Sequence, residues 1–281
     1  MIVLLKYRVI LYRLLKLNIN VSKHSLCLRV RGYRYRVYVE SVVMKLLVSI
    51  WYPEEFYDAV IGGADIVDIK DPSAGSLGAP KPRVVKKVVN IANSMGVKCE
   101  LSAAVGDVKC CPSTVRIATY FLALMKLNYI KVGIETNDLN AAYDIAENVV
   151  KGANEAGYSK VILVGYADFK RVKSINPLNL PEIAYKVEAD GVMIDTRVKD
   201  GTNTFDHLTL DYLKQFVVKA KEKELIAALA GGLGKEHVKL AYKLGFDVIG
   251  VRTAACSGGR LGRVSKDKVR ELKKTILSCV K

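Results

Sequence analysis

The feature that most constrains this chain is a regular alternation of short apolar strands and amphipathic helices from Met44 onward. Strand cores read at 46–49, 66–69, 99–103, 129–132, 161–165, 191–195, 225–230 and 248–251. Helical periodicity falls between them at 53–61, 83–94, 113–125, 141–156, 181–187, 210–223 and 235–244, and a last helix is expected at 266–277. Repeated strand–helix units of this number suit an α/β fold of the (β/α)8 TIM-barrel kind, typically about 250 residues long. A doubly wound open sheet is the alternative, but no G-x-G-x-x-G follows the first strand.

A weak internal repeat accompanies the alternation. GAD at 63–65, EAD at 188–190 and GFD at 245–247 each end a helix and enter a strand, and Asn128 stands in the same place before Tyr129. Ordinary turn chemistry between a helix and a strand accounts for such spacing. In a barrel these turns mark the bottom, away from the strand ends that carry chemistry.

Composition narrows the class. Of 281 residues, 51% are hydrophobic and 26% charged, the balance of a globular enzyme and not of a disordered chain. No apolar run approaches the roughly 20 residues a membrane-spanning helix needs, so no membrane association is expected. Six cysteines (27, 99, 110, 111, 256 and 279) contain no C-x-x-C pair, and the vicinal pair is poorly placed for a structural bridge. A reduced, cytoplasmic protein is the expectation. His24, His207 and His237 show no metal-ligand spacing, so neither metal nor cofactor is expected.

The formal charge of +16 is uneven, because residues 1–43 carry nine basic side chains against Glu40, a net +8. Lys6, Arg13 and Lys16 would share one helical face, and 28–39 reads as short basic, tyrosine-rich strands broken at Gly32. A signal peptide does not fit, since charges interrupt every apolar run. An arm contacting RNA or an anionic surface is one reading. The other is a mis-set start, with translation beginning at Met44. Residues 1–43 are therefore taken as a basic N-terminal extension and 44–281 as the catalytic barrel.

Charged residues cluster where barrel strands end. IVDIK at 66–70 puts Asp68 and Lys70 on one face by the period of two. Lys131 sits inside an apolar strand, and Asp195 ends another with Lys199 in the loop beyond. A lone buried ammonium costs several kcal/mol, so these lysines need a reason. One is chemical: neighbouring cations and burial lower an amine's pKa, and a neutral amine attacks a carbonyl to form a Schiff base. A carboxylate then moves protons. The other is structural: an Asp68–Lys70 core pair, with Lys131 reaching outward.

The last two strands point to phosphate. AGGLG at 230–234 precedes a helix, and strand eight is followed by Arg252 and by SGGR at 257–260. Backbone amides at Gly231, Gly232, Gly234, Gly258 and Gly259, with Arg252, are expected to hold a phosphorylated small molecule. DPSAGSLGAP at 71–80 is a loop suited to closing over a ligand. Asp107 and Asp168 lie at the tops of strands three and five.

In combination, these stretches resemble the (5-formylfuran-3-yl)methyl phosphate synthase family, archaeal enzymes of methanofuran biosynthesis. The matching motifs are GADIVDIKDP at 63–72, GSLGA at 75–79, YIKVG at 129–133, GYAD at 165–168, MIDTRVKDG at 193–201, LAG at 229–231 and GVRTAAC at 250–256. The resemblance runs from Met44 to about Leu277, and residues 1–43 have no counterpart in it. It implies a lyase that condenses two molecules of glyceraldehyde 3-phosphate, releasing phosphate and water. It also implies that Lys70 is the Schiff-base lysine and Lys131 a proton acceptor, with Asp68, Asp195 and Lys199 as partners. A class I aldolase acting on another phosphorylated substrate, and a basic nucleic-acid binder, are the rival readings. A homo-oligomer is left open.

Overall fold

The computed structural model describes residues 26–30, 33–37, 43–157 and 159–280. Within residues 1–42, Leu26–Val30 pairs antiparallel with Tyr33–Val37, where the tyrosine-rich strands were expected. The helical face of Lys6, Arg13 and Lys16 lies outside the described residues.

Residues from Val43 onward form a separate compact unit. Its eight parallel strands close into one barrel in sequential order. They are β1 (Lys45–Ile50), β2 (Ile66–Ile69), β3 (Glu100–Val108), β4 (Tyr129–Ile134), β5 (Lys160–Tyr166), β6 (Gly191–Asp195), β7 (Ile226–Leu229) and β8 (Val248–Val251). The principal helices are α1 (Glu55–Gly62), α2 (Pro82–Met95), α3 (Pro112–Leu124), α4 (Leu139–Ala156), α5 (Leu180–Lys186), α6 (Leu210–Glu222), α7 (Lys235–Leu244) and α8 (Lys266–Cys279). Among the described residues, no helix is long and apolar enough to cross a membrane.

Strand alternation divides the core in two. Leu46, Val48, Val67, Ile69, Ile130, Val132, Val192 and Ile194 join the large cluster packed beneath the helices. Leu47, Ile66, Tyr129, Ile162, Met193, Ala228 and Val248 form a second cluster inside the barrel. The residues between them in register, Ser49, Asp68, Ser102, Lys131 and Asp195, are buried as well. Period two therefore points a set of polar side chains into the lumen, above an apolar floor.

The weak sequence repeat closes the bottom of the barrel. Asp65 Oδ2 accepts from the amide of Leu46 at 2.7 Å, and Asn128 Oδ1 from Leu101 at 2.8 Å. Asp190 Oδ2 accepts from Val161 at 2.8 Å, and Asp247 Oδ2 from Ala227 at 2.9 Å. Each of these four residues also donates its own N–H to the carbonyl of the same partner. Each offers its carbonyl to the next odd strand, through the amides of Glu100, Lys160, Ile226 and Lys45. One side chain before every even strand thus satisfies the amide of the second residue of the odd strand before it, which water would otherwise have to reach.

Two positions before each of these residues the backbone turns left-handed, at Gly63, Lys126, Glu188 and Gly245. Glycine takes that conformation without Cβ strain, whereas Glu188 adopts it at φ 60°. Glu188→Gly is expected to stabilise the protein by about 0.5–1 kcal/mol, read as a higher denaturation midpoint. A lower midpoint would show that the Glu188 side chain contributes more than the strain costs.

The architecture departs from the expectation in detail. β3 runs on to Val108, with its register to β4 shifting between Ala104 and Asp107. α1 starts at Glu55 and not at 53, because Glu55 is drawn inward to accept from the amides of Trp51 and Tyr52. Short helical turns at Phe169–Val172 and Thr204–His207 fill loops that showed no helical period. A two-stranded hairpin, Cys256–Ser257 with Arg263–Val264, follows β8.

Candidate active site

The lumen's polar tier is built around Asp68, which has no exposed surface. Its Oδ1 accepts from Ser102 Oγ at 2.9 Å, while Oδ2 accepts from Ser49 Oγ at 2.9 Å and Lys131 Nζ at 2.7 Å. These partners come from β1, β3 and β4, so three neighbouring strands converge on one carboxylate. Burial pushes the Asp68 carboxyl up, but the Lys131 and Lys70 charges and the hydrogen bonds outweigh it and hold it below its usual range. Lys131 does not reach outward, and its Asp68 pair replaces the Asp68–Lys70 pair left open by the sequence.

Lys70, at the end of β2, is buried and donates to the Ser76 carbonyl at 3.2 Å. Burial first, then the Lys131 and Lys199 cations, push its ammonium down to about 8 against the opposing pull of Asp195 and Asp68. Asp195 ends β6 with one oxygen accepting from Lys199 Nζ at 2.7 Å and from the Thr196 amide at 2.7 Å. Burial would raise the Asp195 carboxyl, yet Lys199, Lys70 and Lys131 together hold it well down, at about 2. The result is a lysine near its neutral point beside an ionised carboxylate, the pairing that imine and enamine chemistry requires.

Above this tier lies a cavity of about 240 Å³. Lys70, Lys131, Asp195 and Lys199 border it, together with Gly231, Gly232, Leu233, Thr253 and Arg260. Gly231 has φ +95°, and a Cβ there would lie 2.4 Å from Thr204 Oγ1, so the chain passes too close for a side chain. The 71–78 segment, beside Lys70, is tied down at three points. Ser76 Oγ donates to the Thr196 carbonyl at 2.7 Å, and Arg260 donates to the carbonyls of Pro72 and Gly75 at 2.6 and 2.7 Å.

Of the residues expected to meet phosphate, Gly231 and Gly232 border the cavity and Gly234, Gly258 and Gly259 do not. The Gly234 amide is taken by His237 Nδ1 at 2.9 Å, while Gly258 and Gly259 lie between the strands of the hairpin after β8. Arg252 borders the cavity, but its guanidinium is engaged within the fold. Its nitrogens donate to the carbonyls of Ser49, Arg260 and Gly262 and to both oxygens of Glu55. That account matches the five donors a guanidinium possesses.

Sequence reasoning missed Ser49, Ser102, Ser76 and Glu55. A small polar residue at an inward strand position opposite Asp68 was the available sign for the first two. Nothing in the spacing pointed to Ser76 or Glu55, whose partners Thr196 and Arg252 are over a hundred positions away in the chain.

Residues 46–273 match the family model for 4-HFC-P synthase. The chain belongs to the 4-HFC-P synthase family. Its relatives include the (5-formylfuran-3-yl)methyl phosphate synthase of Methanothermobacter thermautotrophicus, 41% identical over 236 residues, 83% of this chain and 99% of the relative. The enzyme of that name from Archaeoglobus fulgidus is 38% identical over 235 residues, again 83% of this chain and 99% of the relative. Among solved structures, 3-hexulose-6-phosphate synthase from Salmonella typhimurium superposes with TM-score 0.58 at 18% identity, over 84% of this chain and all of that one. Phosphoribosylanthranilate isomerase from Thermus thermophilus gives TM-score 0.57 at 16% identity, over 84% and 99%. Those two likenesses speak for the barrel alone. The 4-HFC-P synthase relatives make this chain an enzyme of that family.

Proposed function

We propose that this 4-HFC-P synthase condenses two molecules of glyceraldehyde 3-phosphate into 4-(hydroxymethyl)-2-furancarboxaldehyde phosphate, the (5-formylfuran-3-yl)methyl phosphate of the relatives' name. One phosphate and two waters leave. The observation that carries the reading is the buried Lys70 amine, depressed to about 8 by its surroundings and facing a cavity bordered by glycine backbone.

Lys70 attacks the carbonyl of one triose phosphate and, with loss of water, becomes an imine. Asp195, or Lys131 once it has passed a proton to Asp68, removes the adjacent proton to give an enamine, whose carbon attacks the second aldehyde. Elimination of phosphate and dehydration then close the furan ring, with Lys199, held on Asp195, carrying protons to the departing oxygens. Hydrolysis of the imine frees the product and returns the Lys70 amine. Asp68 fixes Lys131, and the backbone of Gly231, Gly232 and Thr253 receives the retained phosphate. Arg252 is left out of the phosphate contacts because its donors already hold Glu55 and three carbonyls. Every residue named lies after Met44, so the reading assigns the reaction to residues 44–281.

The test mixes the full chain with glyceraldehyde 3-phosphate and follows the ultraviolet band of a furan aldehyde. A parallel sample is reduced with borohydride and mapped by peptide mass. A band with the adduct on Lys70 is expected. An adduct with no band would indicate an aldolase, and neither signal from folded protein would sink the reading.

A further inference from the structure

The loop between β6 and α6 carries Lys199, yet the groups that shape it come from elsewhere. Asp168, just beyond β5, is almost wholly buried and does not border the cavity. Its Oδ1 accepts from the Arg197 amide at 2.7 Å and its Oδ2 from the Val198 amide at 2.9 Å. These are the two residues immediately before Lys199. The Lys199 ammonium then lies 2.7 Å from Asp195 and 3.0 Å from Thr196 Oγ1. The Arg197 side chain points elsewhere, to Glu135 at 3.0 Å and Asp107 at 3.7 Å, so it does not hold the loop's backbone.

We propose that Asp168 is a positioning residue, which holds Lys199 on Asp195 by gripping the two amides that precede it. The inference rests on the reading that Asp195 and Lys199 serve the reacting centre. A buried carboxylate is a costly way to hold a loop unless it collects donors that would otherwise be unmet. Here each of its oxygens takes one amide, which fixes both direction and height of the next side chain. Without that grip Lys199 swings away from Asp195.

The Lys70 amine would register the change. It is faced by Asp195, Lys199, Lys131 and Asp68. Moving the Lys199 cation away removes a charge that disfavours the Lys70 ammonium and uncovers one that favours it. Both effects raise the pH at which Lys70 becomes neutral.

The experiment compares Asp168→Asn with wild type in the full chain. Borohydride trapping of Lys70 is measured against pH, along with kcat, KM and the thermal midpoint. The pH midpoint of trapping is expected to move upward and kcat at neutral pH to fall about tenfold or more, with KM little changed. Lys199→Met should move the midpoint the same way, and adding Asp168→Asn to it should move it no further. An unmoved midpoint with only a lower thermal midpoint overturns the proposal, because a purely structural role predicts that result.

A substrate-free measurement separates this from the parent reading. In ligand-free protein, acylation of Lys199 followed by peptide mass is expected to quicken in Asp168→Asn. If wild type formed no adduct on Lys70, the parent reading would fail and the acylation rate alone would decide the positioning. A rate equal to wild type overturns it. Should Asp168→Asn not fold, Asp168→Glu keeps the charge and both acceptors but displaces them by a methylene, and is read in the same two ways.

Discussion

Lys70→Met is expected to abolish both the borohydride adduct and the furan-aldehyde band while raising the stability of the protein. Loss of the nucleophile removes the covalent route altogether, a fall of about 10³-fold or more in rate. The stability gain has a separate origin. Lys70 sits near 8 in the folded protein against 10.5 in an open chain, so burying its charge costs on the order of 3 kcal/mol. Below pH 8 the lysine is charged in both states and the full cost applies. Between about 8 and 10.5 the folded form gives up its proton first, and stability rises with pH. In Lys70→Met that rise should vanish, and the variant should be the more stable protein at neutral pH. Denaturation at pH 7 and pH 10 checks both statements. A wild-type rate of product formation, or an unchanged pH slope, would refute the role given to this amine.

Glu55→Gln should produce the second large effect, with no contact to the cavity. Glu55 accepts from the amides of Trp51, Tyr52 and Val264 and from two nitrogens of Arg252. Both side chains of the pair are almost wholly buried. Removing one charge leaves the other uncompensated, which costs about 3–5 kcal/mol. The hairpin after β8 loses its anchor as well, since Val264 belongs to it and Arg252 holds the Arg260 and Gly262 carbonyls. Arg260 in turn ties the 71–78 segment above Lys70, so activity falls with stability. Urea denaturation measures the first consequence and the furan-aldehyde assay the second. Adding Arg252→Met to Glu55→Gln should restore part of the stability, because no buried charge then stands alone. A single variant within 1 kcal/mol of wild type would show that the pair does not brace this side of the barrel.

The barrel itself was legible because its evidence is local. Apolar runs, helix periods and turn residues repeat along the chain, and their number matches one closed architecture. The shared face of Asp68 and Lys70 was legible for the same reason, since side-chain direction in a strand depends only on spacing, whereas the inward direction of Lys131 was settled by the fold. The glycine-rich turn after β7 was visible too. The GAD, EAD and GFD repeat could be seen but not understood. Its meaning depends on a side chain reaching the second amide of the previous odd strand, and that amide has no mark in the sequence.

Pairing was decided only when the barrel closed. Asp68 and Lys70 are neighbours in the chain, yet Asp68 takes its ion pair from Lys131, 63 positions on. β2, β3 and β4 in register bring Ser102 and Lys131 to the same carboxylate. Arg252 reads in sequence as a phosphate ligand because it follows a strand beside glycines. In the fold it lies 197 positions from Glu55 and faces it, and the competition for its donors is settled by packing. The sequence by itself determined the barrel and the clustering of lysines and carboxylates at its strand ends. Tertiary structure alone decided which charges meet, and hence which amine is left near its neutral point, because electrostatic neighbours are set by distance in space and not along the chain.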